Sequence, residues 1–187
     1  SLGQAPLPLV TQAKTVPAYS TYIENQRWQF ANTLFTTVHI VGSDNRFAPN
    51  NVEAEKEFRA REQANIAWMK ETFRLAANQK LNTLVFAFQA DVIRGMSRSG
   101  TWAEKTGFHA SIEKTLLPLA KEFQGSILIV HGDSHNFEFD QTFMLESQVL
   151  KNVYRLEVPG AKTTGAVSVT INEGHTTPFS VKEFIVQ

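Results

Sequence analysis

Gly132-Asp133-Ser134-His135 closes the apolar run Ile127-Leu128-Ile129-Val130 and carries the side chains best equipped to do chemistry. On extended backbone, residues i and i+2 point the same way, so this spacing turns the Asp133 carboxylate and the His135 imidazole toward one cavity. Such a pair ligates a hard or borderline divalent cation. Gly132 allows a tight exit from the strand. The competing reading makes Asp133 a turn cap and His135 an ordinary, partly buried histidine. Alternation turns His131 away from Asp133, where it either orients a ligand from behind or simply packs. Ser134 points to the opposite face. A metal-free hydrolase using His135 and Asp133 as a base pair would therefore lack a nucleophile within reach.

Two further polar clusters end apolar runs. Gly42-Ser43-Asp44-Asn45 follows Leu34–Val41, and Gln89-Ala90-Asp91 follows Leu84–Phe88. Asn45 is either a turn residue or a contact to a metal or a phosphate oxygen. Gln89 and Asp91 either ligate and orient or only make sheet-edge hydrogen bonds. Arg94, Arg98 and Lys105 lie between residues 92 and 108, where they meet an anionic substrate or are solvated loop residues. His39 reads as a core histidine within a strand, and His109 and His175 as surface or cap residues. The sequence has no glycine-rich phosphate loop, nucleophile elbow or zinc-protease helix motif.

The elements that must position these clusters follow from periodicity. Trp28–Gly42 contains the β-branched and aromatic run Leu34–Val41, which predicts a strand. Residues 52–78 predict one long helix, with Phe58, Ile66, Met69 and Phe73 inward and Glu53, Glu55, Arg59 and Lys70 solvated. Leu84–Phe88 predicts a second strand. Residues 109–123 predict a second helix, with Ile112, Leu116, Leu119 and Phe123 inward and a kink at Pro118. Ile127–Val130 predicts a third strand. This strand–helix order argues for parallel strands with right-handed crossovers, which would gather all three clusters on one sheet edge. Phe137–Phe139, Val153–Val158, Ala166–Ile171 and Pro178–Val186 predict short strands in an antiparallel sheet edge. Residues 1–20, with Pro6, Pro8 and Pro17, read as an irregular arm.

Composition narrows the function classes. The 187 residues carry 18 Lys and Arg against 18 Asp and Glu, so no basic excess argues for a nucleic-acid partner. No apolar run approaches the roughly 18 residues of a membrane helix. Ser1-Leu2-Gly3-Gln4 shows neither a charged nor an apolar leader region. The chain has no cysteine, which excludes disulfides and thiolate metal sites.

The run Ile129–Asp140 resembles the last metal motif of calcineurin-like metallophosphoesterases, a strand ending in Gly-His-x-His. Here Asp133 stands at the first histidine and His135 at the second. A bacterial branch with Gly-Ser-x-Asn, Gln-Ala-Asp and Gly-Asp-x-His segments is more similar. Gly42–Asn45, Gln89–Asp91 and Gly132–His135 match these in the same order, and Tyr22–Trp28 is similar to that branch's lead-in. The resemblance covers nearly the whole chain.

It implies an α/β (α+β layered) fold: part of an αββα sandwich with a mixed sheet and C-terminal antiparallel strands. It implies hydrolysis of a phosphate ester by water activated between two divalent cations. Asp133, His135, Asn45 and Gln89 would be the metal ligands, the first three the catalytic set. Asp91 and Arg94 would meet the substrate, and His131 would stand behind a ligand. Amide and carboxylate in place of histidine favour Mn²⁺, Mg²⁺ or Ca²⁺ over Zn²⁺. Two departures stand out. Gln89 replaces a family histidine, and the family's earlier motifs do not occur between Ser1 and Trp28. The expectation is therefore a single domain, 1–187, forming the C-terminal portion of such an enzyme. That portion would be inactive alone and would pair with a missing half or a second copy to cover an open face. Relatives are often exported, and otherwise the chain would be cytoplasmic. The competing function is a non-catalytic binding module on the same fold.

Overall fold

A computed structural model describes residues 7–160, 163–172 and 174–186. Seven strands form one mixed sheet in the order β1-β2-β3-β4-β5-β9-β6. They are β1 (Val10–Thr11), β2 (Gln26–Phe30), β3 (Thr33–Thr37), β4 (Thr83–Ala87), β5 (Ser126–His131), β6 (Glu138–Asp140) and β9 (Val153–Glu157). A small ladder pairs β7 (Met144–Leu145) with β8 (Gln148–Val149), and a long hairpin pairs β10 (Gly165–Ile171) with β11 (Phe179–Ile185). The fold is thus mixed α/β with a C-terminal antiparallel hairpin.

The core strands β3, β4, β5 and β9 are parallel. Each is laid down on the same side of its predecessor. Right-handed crossovers then place every connecting helix on one face of the sheet. On that face the helix Val52–Asn78 buries Trp68, Met69, Phe73 and Ala76 against Leu34, Leu84, Phe86, Ile127 and Ile129. The Asn51 side chain caps the helix by accepting the Ala54 N–H at 3.1 Å. The opposite face holds Val85, Leu128 and Leu156, and the hairpin covers them with Phe179, Val167, Val169 and Val181.

Four expectations change. The strand expected at Leu34–Val41 is β3, which ends at Thr37 and forms a hairpin with β2 before it, Trp28 stacking on Phe35 at 5.1 Å. Within the expected arm, β1 pairs with β2. Gln12 is buried there and donates to the Ala64 carbonyl at 2.8 Å, so this stretch is docked; residues 1–6 lie outside the described residues. Residues 109–123 form a π-helix, His109–Leu116, followed by an α-helix, Leu117–Glu122. Pro118 has no N–H to donate, and its ring would clash with the carbonyl four residues back. The wider turn, in which the Leu117 N–H reaches Ile112 O, opens that clash. Finally, β9 is no member of a tail sheet. It extends the parallel core beside β5, with Ile127 opposite Val153 and His131 opposite Glu157. The face expected to be open is covered in part by this chain's own hairpin, while Phe30 stays 71% exposed at its margin. Among the described residues, no helix is long and apolar enough to cross a membrane.

Candidate metal centre

The carboxyl ends of β3, β4 and β5 meet at one rim. Beyond β3 the chain makes a turn of left-handed helix, with φ of 53°, 55°, 53° and 56° at Ser43, Asp44, Asn45 and Arg46. A non-glycine residue in this conformation costs about 1–2 kcal/mol, so the turn persists only if its surroundings over-determine it. They do. Arg61, 1% exposed on the long helix, donates to the Asn45 carbonyl at 2.9 Å and to the His39 carbonyl at 3.2 Å. It also donates to the Asn45 side-chain oxygen. The Asn45 amide donates to Gly107 O at 3.0 Å, and the Gly107 N–H donates to the Asp44 carboxylate at 2.9 Å. Burial pushes the Asp44 carboxyl above its ordinary range, against the pull of that N–H.

Gly107 has no room for a side chain, because a Cβ would stand 2.0 Å from the Asp44 carbonyl oxygen. Gly107→Ala is expected to destabilise the protein by about 3 kcal/mol or more, measured by urea denaturation. Wild-type stability in that variant would show that the turn is not locked here.

At the rim, Gln89 Oε1 accepts the Gly42 N–H. The Asp133 carboxylate lies against Gly42, 2.8 Å from where a Cβ would stand, and accepts the Asp91 N–H at 3.4 Å. Gly42, Ser43, Arg46, Gln89 and Asp133 line an open depression of about 680 Å³.

Two expected ligands are placed otherwise. Asn45 is fully buried, and its amide is committed to Arg61, Gly107 and the Val41 N–H, so it does not face the depression. His135 does not share a cavity with Asp133. Positive φ at Asp133 (76°) and His135 (63°) breaks the extended alternation, and the His135 ring lies instead against Gly160. Ser134, expected to point away, donates to the Asp91 carboxylate. Arg94 is an exposed partner of Asp91, at 3.4 Å.

Among the described residues, one buried cluster could hold a metal ion: Asp91 after β4, His131 at the end of β5 and Glu157 at the end of β9. One ligand atom from each lies within 4.8 Å of the others, and the residues are 7%, 2% and 2% exposed. Parallel pairing brings His131 level with Glu157, on the face that carries the helices. The Asp91 carboxylate also accepts the Ile93 N–H at 3.0 Å, and Glu157 Oε1 accepts the Asn136 N–H at 3.1 Å.

His131 Nδ1 lies 3.1 Å from the Gly132 carbonyl, which can only accept, so Nδ1 carries the proton. In the neutral ring, Nε2 then presents a lone pair. It is buried without any hydrogen-bond partner. A histidine that donates one nitrogen to a backbone carbonyl and keeps the other free has the arrangement of a metal ligand. The Phe88 ring stacks over His131 at 6.4 Å and fixes its plane.

The charges around the cluster are mixed. Arg155 offsets part of the local acidity, binding Asp140 at 2.5 Å and standing 3.7 Å from Glu157. Burial works against the charge of that guanidinium, but the carboxylates around it prevail and hold its pKa above the ordinary value. Two carboxylates and an imidazole fit a divalent ion of hard or borderline character.

Glu157 is the member of the cluster that the sequence reading missed. Its signal was the alternation in Tyr154-Arg155-Leu156-Glu157-Val158, which puts two charged residues on one face of an otherwise apolar strand. No protein-family model, curated protein or solved structure matches the chain.

Proposed function

We propose that this chain supplies a divalent-cation centre for the hydrolysis of phosphate esters, in keeping with its resemblance to calcineurin-like metallophosphoesterases. The observation that carries the reading is the buried Asp91–His131–Glu157 cluster with its unpartnered His131 Nε2. A bound cation would lower the pKa of a water molecule and draw in phosphate oxygens. Mn²⁺ suits the mixed oxygen and nitrogen donors, and Mg²⁺ or Ca²⁺ suits the carboxylates. Asp133 and Gln89 offer oxygens to a second cation at the adjoining rim. Asp91 joins the two places, its carboxylate in the cluster and its N–H on Asp133. The depression beside them would take the ester, with the Arg46 guanidinium at its wall to meet the phosphate.

The test is hydrolysis of p-nitrophenyl phosphate and bis(p-nitrophenyl) phosphate by the complete gene product, with Mn²⁺, Mg²⁺ or Ca²⁺ and after chelation. Activity should need the cation and fall at least ~100-fold in Asp91→Asn and in Asp133→Asn. Full activity in both variants, or after exhaustive chelation, would remove the reading. A second reading, a non-catalytic module with a structural cation, is favoured by the closure of the cluster, each member of which is buried. Stoichiometric cation binding without hydrolysis of either ester would select it.

A further inference from the structure

At the opposite edge of the sheet, before β4 and β5, a groove of about 520 Å³ opens between the end of the long helix and the helix Leu117–Glu122. Phe73, Leu81, Leu119 and Phe123 form its apolar floor, and Lys70, Arg74 and Lys80 stand around it. We propose that this groove binds a single-chain amphipathic anion, an alkyl carboxylate, at a site remote from the metal centre.

The walls are preformed. Asn152 donates to the carbonyls of Ala120, Phe123 and Gly125 at 2.8, 3.1 and 3.3 Å, which fixes the Phe123 side. Phe73 meets Phe123 edge to face at 5.9 Å. A Cβ on Gly125 would lie 2.0 Å from Asn82 O, so the two loops at the groove's end are in contact. A rigid apolar slot of this size takes a ligand at low ordering cost.

The charges select the headgroup. Arg74 is held by Glu71 at 2.7 Å, but among the described residues Lys70 and Lys80 pair with no carboxylate. Glu122 is the acid that lines the groove against these cations. Carbonyls at the helix ends, which would repel an anion, are occupied. Leu81 N–H donates to Ala76 O at 2.9 Å and Lys80 N–H to Ala77 O at 3.2 Å, while Asn152 serves the second helix.

Lys80 stands at φ 56°, just beyond the helix end, a left-handed position that those two backbone bonds close and where glycine would be unstrained. It lines the groove.

Calorimetric titration with dodecanoate, below its micellar range, should show saturable one-to-one binding. Dodecyltrimethylammonium, with the same chain and opposite charge, should bind at least ~10-fold more weakly. Ala77→Glu, an exposed change on the groove wall, should abolish binding without unfolding the protein. Lys80→Gly should raise the melting temperature yet weaken dodecanoate several-fold, an outcome that a purely structural Lys80 would not give. Absence of saturable binding, equal affinity for the cationic amphiphile, or unchanged affinity in Ala77→Glu would overturn the proposal. So would a dimer that Ala77→Glu dissociates in the absence of ligand, since a second copy would then be the occupant. None of these outcomes depends on the metal centre.

Discussion

Replacing His131 by leucine is expected to abolish divalent-cation binding while leaving the protein folded. Leucine fills most of the imidazole's space beside Phe88 and removes a buried nitrogen that has no partner. Leaving such a group unsatisfied costs about 1–3 kcal/mol, so the cation-free variant should be as stable as the wild type or more so. Binding responds in the opposite direction. Losing one of three protein ligands should weaken Mn²⁺ at least ~100-fold, beyond what loss of an outer hydrogen-bond partner does. The two effects separate in a melting experiment. At a free cation concentration of about 100 times the wild-type Kd, wild-type protein gains roughly 2.7 kcal/mol of stability, and the variant gains about 0.4 kcal/mol or less. Glu157→Gln, which keeps the shape but removes a charge, should fall between them. Equal stabilisation of wild type and His131→Leu by Mn²⁺ would eliminate the cluster as a metal centre.

Arg61→Met should have the largest effect on stability, about 3–5 kcal/mol, because it leaves the carbonyls of His39 and Asn45 and the Asn45 side-chain oxygen without their donor. The guanidinium serves Glu57 at 2.7 Å, the carbonyls of His39 and Asn45, and the Asn45 side chain. Methionine fills the volume and serves none of them. For a chain of this length the loss corresponds to a fall in Tm of about 6–20 °C. The left-handed turn should loosen with it, seen as faster amide exchange across residues 43–46, since the turn's strain is held chiefly by this side chain.

The pH dependence should change as well. The hydrogen bond from Arg61 holds the Glu57 carboxyl below its ordinary range, although burial pulls the other way. A carboxyl with a depressed folded pKa contributes stability above its unfolded pKa and loses it as pH falls through the folded value. Wild-type protein should therefore lose stability more steeply on acidification than Arg61→Met. Parallel acid profiles would show that the pair contributes nothing to folding. Glu57 is half exposed, which keeps its own share small.

The order and type of the main elements were present in the chain itself. The 3.6-residue pattern from Phe58 to Phe73 is a helix because one apolar face must be buried, and the runs Leu84–Phe88 and Ile127–Val130 are strands because parallel core strands are apolar on both faces. From this order the right-handed crossover rule brings the ends of β3, β4 and β5 to one rim, where Gly42, Gln89, Asp91 and Asp133 do meet. Other features were beyond local pattern. The positive φ values at Ser43–Arg46 and at Asp133 and His135 arise from contacts with residues far along the chain, Arg61 and Gly107 for the turn. The period-two rule therefore failed where it was asked to aim individual side chains. Nor could spacing show that β9 enters the sheet beside β5, because strand pairing is a long-range choice made by burial of both faces. That choice sets Glu157 against His131 and turns a charged residue in a tail strand into the third member of a buried cluster.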